Sequence, residues 1–182
     1  MRIIAGAYKG LKLYTDKKSP VRPTDDFTRE MLFNILQPIK PGALVLDLYG
    51  GTGAVALEFL SRGAGFVYIN ELSDDSIRVI FRNLEHAKVL DRAQVTKSDA
   101  VRKLKKVQKE GLRFDYIYID PPYKKGMVKR TLTAVRFCDI LNATGLIITE
   151  QEKEAKPVDL PDLVCYDQRF RGSKSLHFYK GA

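Results

Sequence analysis

The stretch that decides the fold is residues 43–62, which read ALVLDLYGGTGAVALEFLSR. Its opening apolar run ends in Asp47 and predicts a buried strand over 43–47. The apolar residues that follow predict a helix over 53–62. Three glycines between them allow a tight turn and a close approach of the backbone to a ligand, namely Gly50, Gly51 and Gly53. This order of strand, glycine-rich loop and helix indicates a nucleotide-type binding loop.

Short apolar runs and amphipathic stretches continue to alternate downstream, as expected when helices connect parallel strands. Further strands are predicted over 66–70, 93–97, 114–119 and 145–149. The helices between them are predicted over 74–87, 99–109 and 126–141. Two closing strands, 163–168 and 174–180, are near enough in sequence to pair antiparallel. The sequence therefore predicts an α/β fold, with a mostly parallel sheet flanked by helices and a C-terminal antiparallel hairpin.

The N-terminal region precedes this body. Two short strands are predicted over 2–5 and 11–14, joined by a turn that contains Gly6 and Gly10, so an N-terminal β-hairpin is expected. A helix is predicted over 25–36. We expect one domain over residues 1–182, with residues 1–22 as its extension.

Composition limits the classes of function. The 182 residues include 31 Lys and Arg against 22 Asp and Glu, a formal charge of +9 that favours a polyanionic partner. The two cysteines lie in no CxxC or Cys/His cluster, so we expect no metal site and a reducing cytoplasm. No stretch approaches the roughly 18 apolar residues of a membrane span. Nothing in the chain demands more than a monomer.

Three acids follow successive predicted strands. Asp47 ends the first, Glu71 follows the second 24 positions later, and Asp99 follows the third. Because the carboxyl ends of parallel strands collect ligands, Glu71 is expected to accept hydrogen bonds from ribose hydroxyls and Asp99 to meet an adenine amino group. The alternative interpretation is that Glu71 and Asp99 are only surface or helix-start residues.

The loop alone leaves two cofactors open. Residues 51–56 satisfy the G-x-G-x-x-G/A dinucleotide fingerprint, so NAD and a nicotinamide dehydrogenase remain an alternative. Asp47 would oppose a pyrophosphate but would attract the positive amino-acid part of S-adenosylmethionine. Charge therefore favours S-adenosylmethionine.

A second motif follows the fourth predicted strand. Asp120, Pro121, Pro122 and Tyr123 read DPPY. The prolines remove two backbone donors, so Asp120 and the local carbonyls can present acceptors to an NH2 group. Tyr123 can stack on a flipped base. These four residues are the predicted catalytic group.

With both motifs in place, the sequence resembles class I S-adenosylmethionine-dependent methyltransferases, because DLYGGTG matches their D-x-F-x-G-x-G loop and DPPY their amino-methylating motif. More narrowly, MRIIAGAYKGLKL, RPTDDFTREMLFNIL, YIDPPY and GSKSLHFYK resemble the bacterial 16S rRNA guanine-N2 methyltransferase family RsmD. The resemblance implies a Rossmann-like methyltransferase fold and methylation of one guanine amine in small-subunit rRNA. The expected cofactor-binding residues are Asp47, Tyr49, Gly50, Gly51, Gly53, Glu71, Asp99 and Ala100.

Two other functions stay open from the sequence. DPPY chemistry also serves the N6 amine of adenine, so a DNA methyltransferase is one alternative. A non-catalytic RNA-binding protein of ribosome assembly is the other.

Positive charge is concentrated near the N-terminus and after DPPY. The expected RNA-binding residues are Arg2, Lys9, Lys12, Arg22, Lys124 and Lys125, which would contact phosphates of 16S rRNA or of the small ribosomal subunit. By contrast, the lysines of the predicted helix over 99–109 fit an ordinary solvated face; they are Lys103, Lys105, Lys106 and Lys109.

Overall fold

A computed structural model describes residues 1–15, 26–122 and 126–182. The strands are Leu44–Asp47 (β1), Phe66–Glu71 (β2), Ala93–Lys97 (β3), Phe114–Ile119 (β4), Leu141–Glu152 (β5), Leu163–Arg171 (β6) and Lys174–Gly181 (β7). The α-helices are Asp26–Leu36 (α1), Ala54–Ser61 (α2), Asp74–His86 (α3), Ala100–Lys109 (α4) and Met127–Cys138 (α5). A single turn of 3-10 helix, Leu90–Arg92, precedes β3.

The strands form one sheet in the order β3-β2-β1-β4-β5-β7-β6. Strands β1 to β5 are parallel, whereas β7 pairs antiparallel with both β5 and β6. The predicted α/β fold with a C-terminal antiparallel hairpin is confirmed. Strand order reverses beside β1, because β2 lies on one side of it and β4 on the other. Such a reversal leaves a crevice at the carboxyl ends of the two central strands.

Alternate residues of the central strands pack into two separate cores. In β1, Val45 belongs to the core beneath α1, α2 and α3, and Leu46 to the core beneath α4 and α5. All six residues of β4 are buried, as expected for a strand covered on both faces. The sheet is thus the middle of three layers. Because helices cover both of its faces, functional polar side chains are left to the ends of its strands. No helix within the described ranges has the length and apolar character to cross a membrane.

The predicted N-terminal hairpin is present only in part. Residues 1–15 contain an isolated antiparallel bridge between Arg2 and Lys12 and no strand longer than that. Backbone hydrogen bonds cross the turn from Ile3 N–H to the Leu11 carbonyl and from Leu13 N–H to the Met1 carbonyl, over 3.0 and 3.2 Å. Other backbone groups of the segment bond to α2. Ile4 and Ala5 donate their N–H groups to the Glu58 carboxylate over 2.8 and 3.0 Å. Residues 16–22 of the expected extension lie outside the described residues.

Two further predictions were wrong in detail. Helix α5 ends at Cys138, three residues early, because Asp139 adopts a left-handed φ of 46° and β5 begins at Leu141. Lys103 is not solvated: it is 1% exposed, and its Nζ donates to Thr96 Oγ1 over 3.0 Å. A long aliphatic stem lets a lysine pack in this way while its ammonium finds a polar partner.

A matched pair of glycine substitutions tests the docking of residues 1–15 on α2. Gly6 and Gly10 both have a φ of +86°, but a Cβ at Gly6 would lie 1.9 Å from the carbonyl oxygen of Ser61, whereas one at Gly10 meets open space. We expect Gly10→Ala to lower the free energy of unfolding by about 1–2 kcal/mol through backbone strain alone. Gly6→Ala should cost clearly more, as measured by urea denaturation. Equal costs would contradict the close contact with α2.

Candidate active site

The glycine loop after β1 is fixed by both neighbouring strands. Leu48 donates its N–H to the carbonyl of Tyr118 in β4 over 3.1 Å, and Gly50 donates to the carbonyl of Asn70 in β2 over 2.9 Å. A Cβ at Gly50 would lie 2.4 Å from Cγ2 of Ile69, so a side chain has no room there. The loop therefore follows a path that only glycine permits at this point.

Asp47 ends β1 beneath this loop and is 1% exposed. Burial raises the pKa of its carboxyl to about 7; the Tyr49 N–H, 3.3 Å from Oδ1, lowers it, and the negative charge of Glu71 raises it further. A buried acid with a second acid nearby is electrostatically suited to a cationic ligand group and opposed to a phosphate.

Glu71 ties the loop to the end of β2. Its Oε2 accepts the Gly51 N–H over 2.8 Å, and its Oε1 accepts from the N–H groups of Leu72 and Ser73 over 2.7 and 3.0 Å. A carboxylate has about four lone-pair positions, and three are already used. Glu71 thus reaches the glycine loop, and a ligand with two hydroxyls would have to compete with the Gly51 N–H.

Asp99 lies at the end of β3 and caps α4. Its Oδ1 accepts from the N–H groups of Val101 and Arg102 over 3.0 and 3.3 Å, the side-chain geometry of a helix N-cap. Ala100, the first residue of α4, is buried beside it. Asp99 therefore has the helix-start role that the sequence also allowed, on the same sheet edge as Glu71.

Tyr49 connects the glycine loop to the opposite layer. Its hydroxyl lies 2.8 Å from Oγ1 of Thr131 in α5, and burial raises its pKa. Since α5 is the helix that follows the DPPY motif, this contact joins the two motifs that the sequence singled out.

Sequence reasoning missed two asparagines at this site. Asn70 donates to the carbonyls of Leu48 and Ser98 over 3.2 and 2.9 Å, and its buried Oδ1 has no hydrogen-bond partner among the described residues. Asn83, fully buried on α3, donates to the Thr52 carbonyl over 2.9 Å. The available signal was a polar residue at the end of a buried strand or on the apolar face of a helix.

Asn83 also holds the N-terminal segment. Its Oδ1 accepts the Tyr14 N–H over 2.7 Å, and its Nδ2 donates to the Tyr14 carbonyl over 3.1 Å. Met1 is close to the same loop, with its Sδ 3.8 Å from Oγ1 of Thr52. Both ends of residues 1–15 therefore lie beside the glycine loop.

The second motif continues from β4. Asp120 is partly exposed, Pro121 is buried and Pro122 is exposed. Because β4 pairs in parallel with β1, with Tyr118 opposite Asp47, the motif lies at the same edge of the sheet as the glycine loop. Tyr123, together with Lys124 and Lys125, lies outside the described residues.

The other expected RNA-binding residues are partly placed. Arg2 and Lys12 face each other across the isolated bridge and are exposed, and Lys9 is exposed in the turn between them. Arg22 lies outside the described residues. Within the described ranges, no group of three or more His, Cys, Asp or Glu side chains could hold a metal ion.

Known proteins are similar to this chain over nearly its full length. The family model described as Conserved hypothetical protein 95 matches residues 1–180. YlbH of Bacillus subtilis (strain 168) is 33% identical over 181 residues, covering 99% of this chain and 98% of that protein. Ribosomal RNA small subunit methyltransferase D of Escherichia coli (strain K12) is 33% identical over 154 residues, covering 85% of this chain and 76% of its own. The solved structure of yhhF from Escherichia coli matches with a TM-score of 0.87 and 31% identity, covering 100% of this chain and 97% of that one.

The sheet order, the reversed β7 and the acid-flanked glycine loop define a class I S-adenosylmethionine-dependent methyltransferase. Within that class, the chain belongs to the family described as Conserved hypothetical protein 95. This is the RsmD family, which the sequence motifs resemble.

The raised pKa of Asp47 predicts a pH dependence of stability. The folded protein holds this proton up to about pH 7, whereas the unfolded chain releases it near the ordinary value of 3.8. Between these values the native state binds more protons, so its stability falls as pH rises, by up to about 1.4 kcal/mol per pH unit from this group. Asp47→Asn removes the titration.

The measurement is the free energy of unfolding of both proteins by urea between pH 4 and 8. The variant should gain stability relative to wild type across this window. A difference that stays constant with pH would show that Asp47 titrates normally.

Proposed function

We propose that this protein transfers the methyl group of S-adenosylmethionine to the exocyclic N2 amine of a guanine in small-subunit rRNA. The observation that carries the proposal is the meeting of two motifs at one sheet edge: buried Asp47 with the glycine loop after β1, and Asp120–Pro122 after β4. The name of the relative from Escherichia coli supports small-subunit rRNA as the substrate.

The residues of the loop fit the cofactor. Buried Asp47 pairs with the amino-acid part of the donor, which carries a positive ammonium group. Glu71 accepts hydrogen bonds from the ribose hydroxyls, and Asp99 accepts one from the adenine amine through Oδ2. Tyr49, Gly50, Gly51, Gly53 and Ala100 line the same edge. The two acids at the loop oppose the pyrophosphate of NAD, so a dehydrogenase is disfavoured.

Asp120 and the Pro121 carbonyl act on the substrate. An exocyclic amine is a weak nucleophile because its lone pair is delocalised into the base. Two acceptors that hold its hydrogens aim the nitrogen at the methyl group, and Asp120 is the group available to take the proton that the nitrogen releases. The donor supplies an electrophilic methyl carbon on a sulfonium. Catalysis then consists of positioning the amine and accepting its proton, with S-adenosylhomocysteine as the leaving group.

The remaining residues bring the RNA to this edge. Pro122 stiffens the backbone, and Tyr123 stacks on the flipped guanine. Arg2, Lys9 and Lys12, with Arg22, Lys124 and Lys125, neutralise phosphates. We propose further that the chain acts as a single-domain monomer in the cytoplasm, on naked 16S rRNA or an assembly intermediate of the small subunit.

The test is incubation of the protein with radiolabelled S-adenosylmethionine and small-subunit particles from cells that lack the enzyme, followed by digestion of the RNA to nucleosides. Label should appear in N2-methylguanosine. Label in N6-methyladenosine would overturn the target base and favour the adenine alternative. No label in RNA would favour a non-catalytic assembly protein.

Replacement of the catalytic acid gives a second prediction. Asp120→Ala should reduce kcat by about 100-fold or more, because the amine loses the acceptor that orients it. The dissociation constant of S-adenosylhomocysteine, measured by calorimetry, should change by no more than a few-fold.

Asp159→Ala is the matched control, since Asp159 is an exposed acid in the segment between β5 and β6. It should leave both quantities unchanged. Normal turnover in Asp120→Ala would show that Asp120 has no role in catalysis.

A further inference from the structure

A cleft of 450 Å³ opens between the N-terminal segment and the end of α3. Its lining residues are Ala7, Tyr8, Lys9, Leu11, His86, Ala87 and Lys88. None of these carries an acidic side chain, and the lysines at both rims are exposed. Glu85 and Asp91, the acids that flank this stretch of α3 in sequence, do not line the cleft. Its charge is therefore positive, which fits an anion.

The floor of the cleft is rigid. The Tyr8 N–H donates to Oγ of Ser61 over 3.0 Å, and Arg92 donates to the Tyr8 hydroxyl over 3.2 Å. Arg92 is fixed in turn by the carbonyl of Ala64, 2.5 Å from its Nη2. Ala87 packs in the main core. A ligand would thus meet a preformed surface, which lowers the entropic cost of binding.

Lys88 occupies a backbone position that normally selects glycine. Its φ is +56°, and it follows the last turn of α3 in a Schellman motif. The Lys88 N–H donates to the Glu85 carbonyl over 2.9 Å, and the Val89 N–H donates to the Leu84 carbonyl over 3.0 Å. A residue other than glycine costs about 1–2 kcal/mol there. The helix dipole favours a cation at this end, but neither the dipole nor the cap requires a lysine at the strained position.

The lining of the cleft contains no residue of the glycine loop or of Asp120–Pro122. The turn of the N-terminal segment contacts Ser61 at the far end of α2, and eight helical residues span about 12 Å. On the other side of the cleft, His86 lies one turn beyond Asn83, which donates to the Thr52 carbonyl of the loop. A molecule in the cleft therefore lies outside the active site but beside the glycine loop, where it can belong to the same RNA as the methylated base.

We propose that this cleft binds the sugar-phosphate backbone of the rRNA substrate at a point outside the active site. The inference rests on the proposed function, which makes RNA the partner. It extends the RNA-contacting surface from the N-terminal segment to the end of α3, so that the cleft and the active site hold one RNA at two points.

The test compares two double variants of the full chain with equal loss of charge. The cleft variant, Lys9→Ala with Lys88→Gly, removes both lysines from the rim of the cleft. The control variant, Lys105→Ala with Lys109→Ala, removes two exposed lysines of α4, on the other face of the sheet. Binding of in vitro transcribed 16S rRNA is measured over a range of KCl concentrations.

The cleft variant should bind about 10-fold more weakly than the α4 variant at moderate salt. The slope of log Kd against log salt should fall by about 2, one for each lost phosphate contact. Its affinity for S-adenosylhomocysteine should stay that of wild type. Equal rRNA affinity and equal slope in the two variants would overturn the inference.

Lys88→Gly alone separates binding from folding. Relief of the left-handed strain should leave thermal stability unchanged or raise it, while rRNA affinity falls. Unchanged rRNA affinity, whatever the change in stability, would show that Lys88 does not contact the RNA. Failure of the proposed function is distinguishable, because wild type would then bind rRNA with the predicted salt slope and cleft dependence but methylate no guanine.

Discussion

The rest of the molecule depends on the burial of β1 between two parallel neighbours at the point where strand order reverses. Connections leave this strand and β4 toward opposite faces of the sheet, so their carboxyl ends frame a crevice. Asp47 is the last residue of β1 and is 1% exposed. The same burial that stabilises the sheet raises the pKa of this acid, because it disfavours the unpaired carboxylate. A cation in the crevice would restore the charged form by pairing with it.

A second buried acid attaches the N-terminal segment of residues 1–15. Glu58 of α2 is fully buried, accepts two N–H groups of residues 4 and 5, and pairs with Nε of Arg62 over 2.7 Å. This charge is tolerable inside the protein because it is both paired and hydrogen-bonded. Asn83 then links the other end of the segment, at Tyr14, to the Thr52 carbonyl. The proposed RNA-contacting segment and the cofactor loop thus share one set of buried polar contacts.

Periodicity predicted the sheet well, because strands that are buried on both faces leave short, nearly continuous apolar runs such as 114–119. It failed where tertiary partners replaced local ones. The N-terminal residues form only one bridge across their turn, because the N–H groups of Ile4, Ala5 and Tyr8 bond to Glu58 and Ser61 of α2. Likewise, Lys103 belongs to a Lys-rich stretch, yet it is buried, and Oγ1 of Thr96 accepts a hydrogen bond from its ammonium group.

By itself, the sequence determined the α/β architecture, the position of the glycine loop and the order of the acids along the chain, because these follow from local spacing and from the rule that parallel strands end together. The tertiary structure alone decided what each acid touches: Glu71 bonds to the Gly51 N–H, Asp99 caps α4, and Asp47 is buried beneath the glycine loop. It also brought Lys9 and Lys88 to one cleft. Such pairings join residues far apart in sequence, and only the packing of helices on the sheet sets the distances between them.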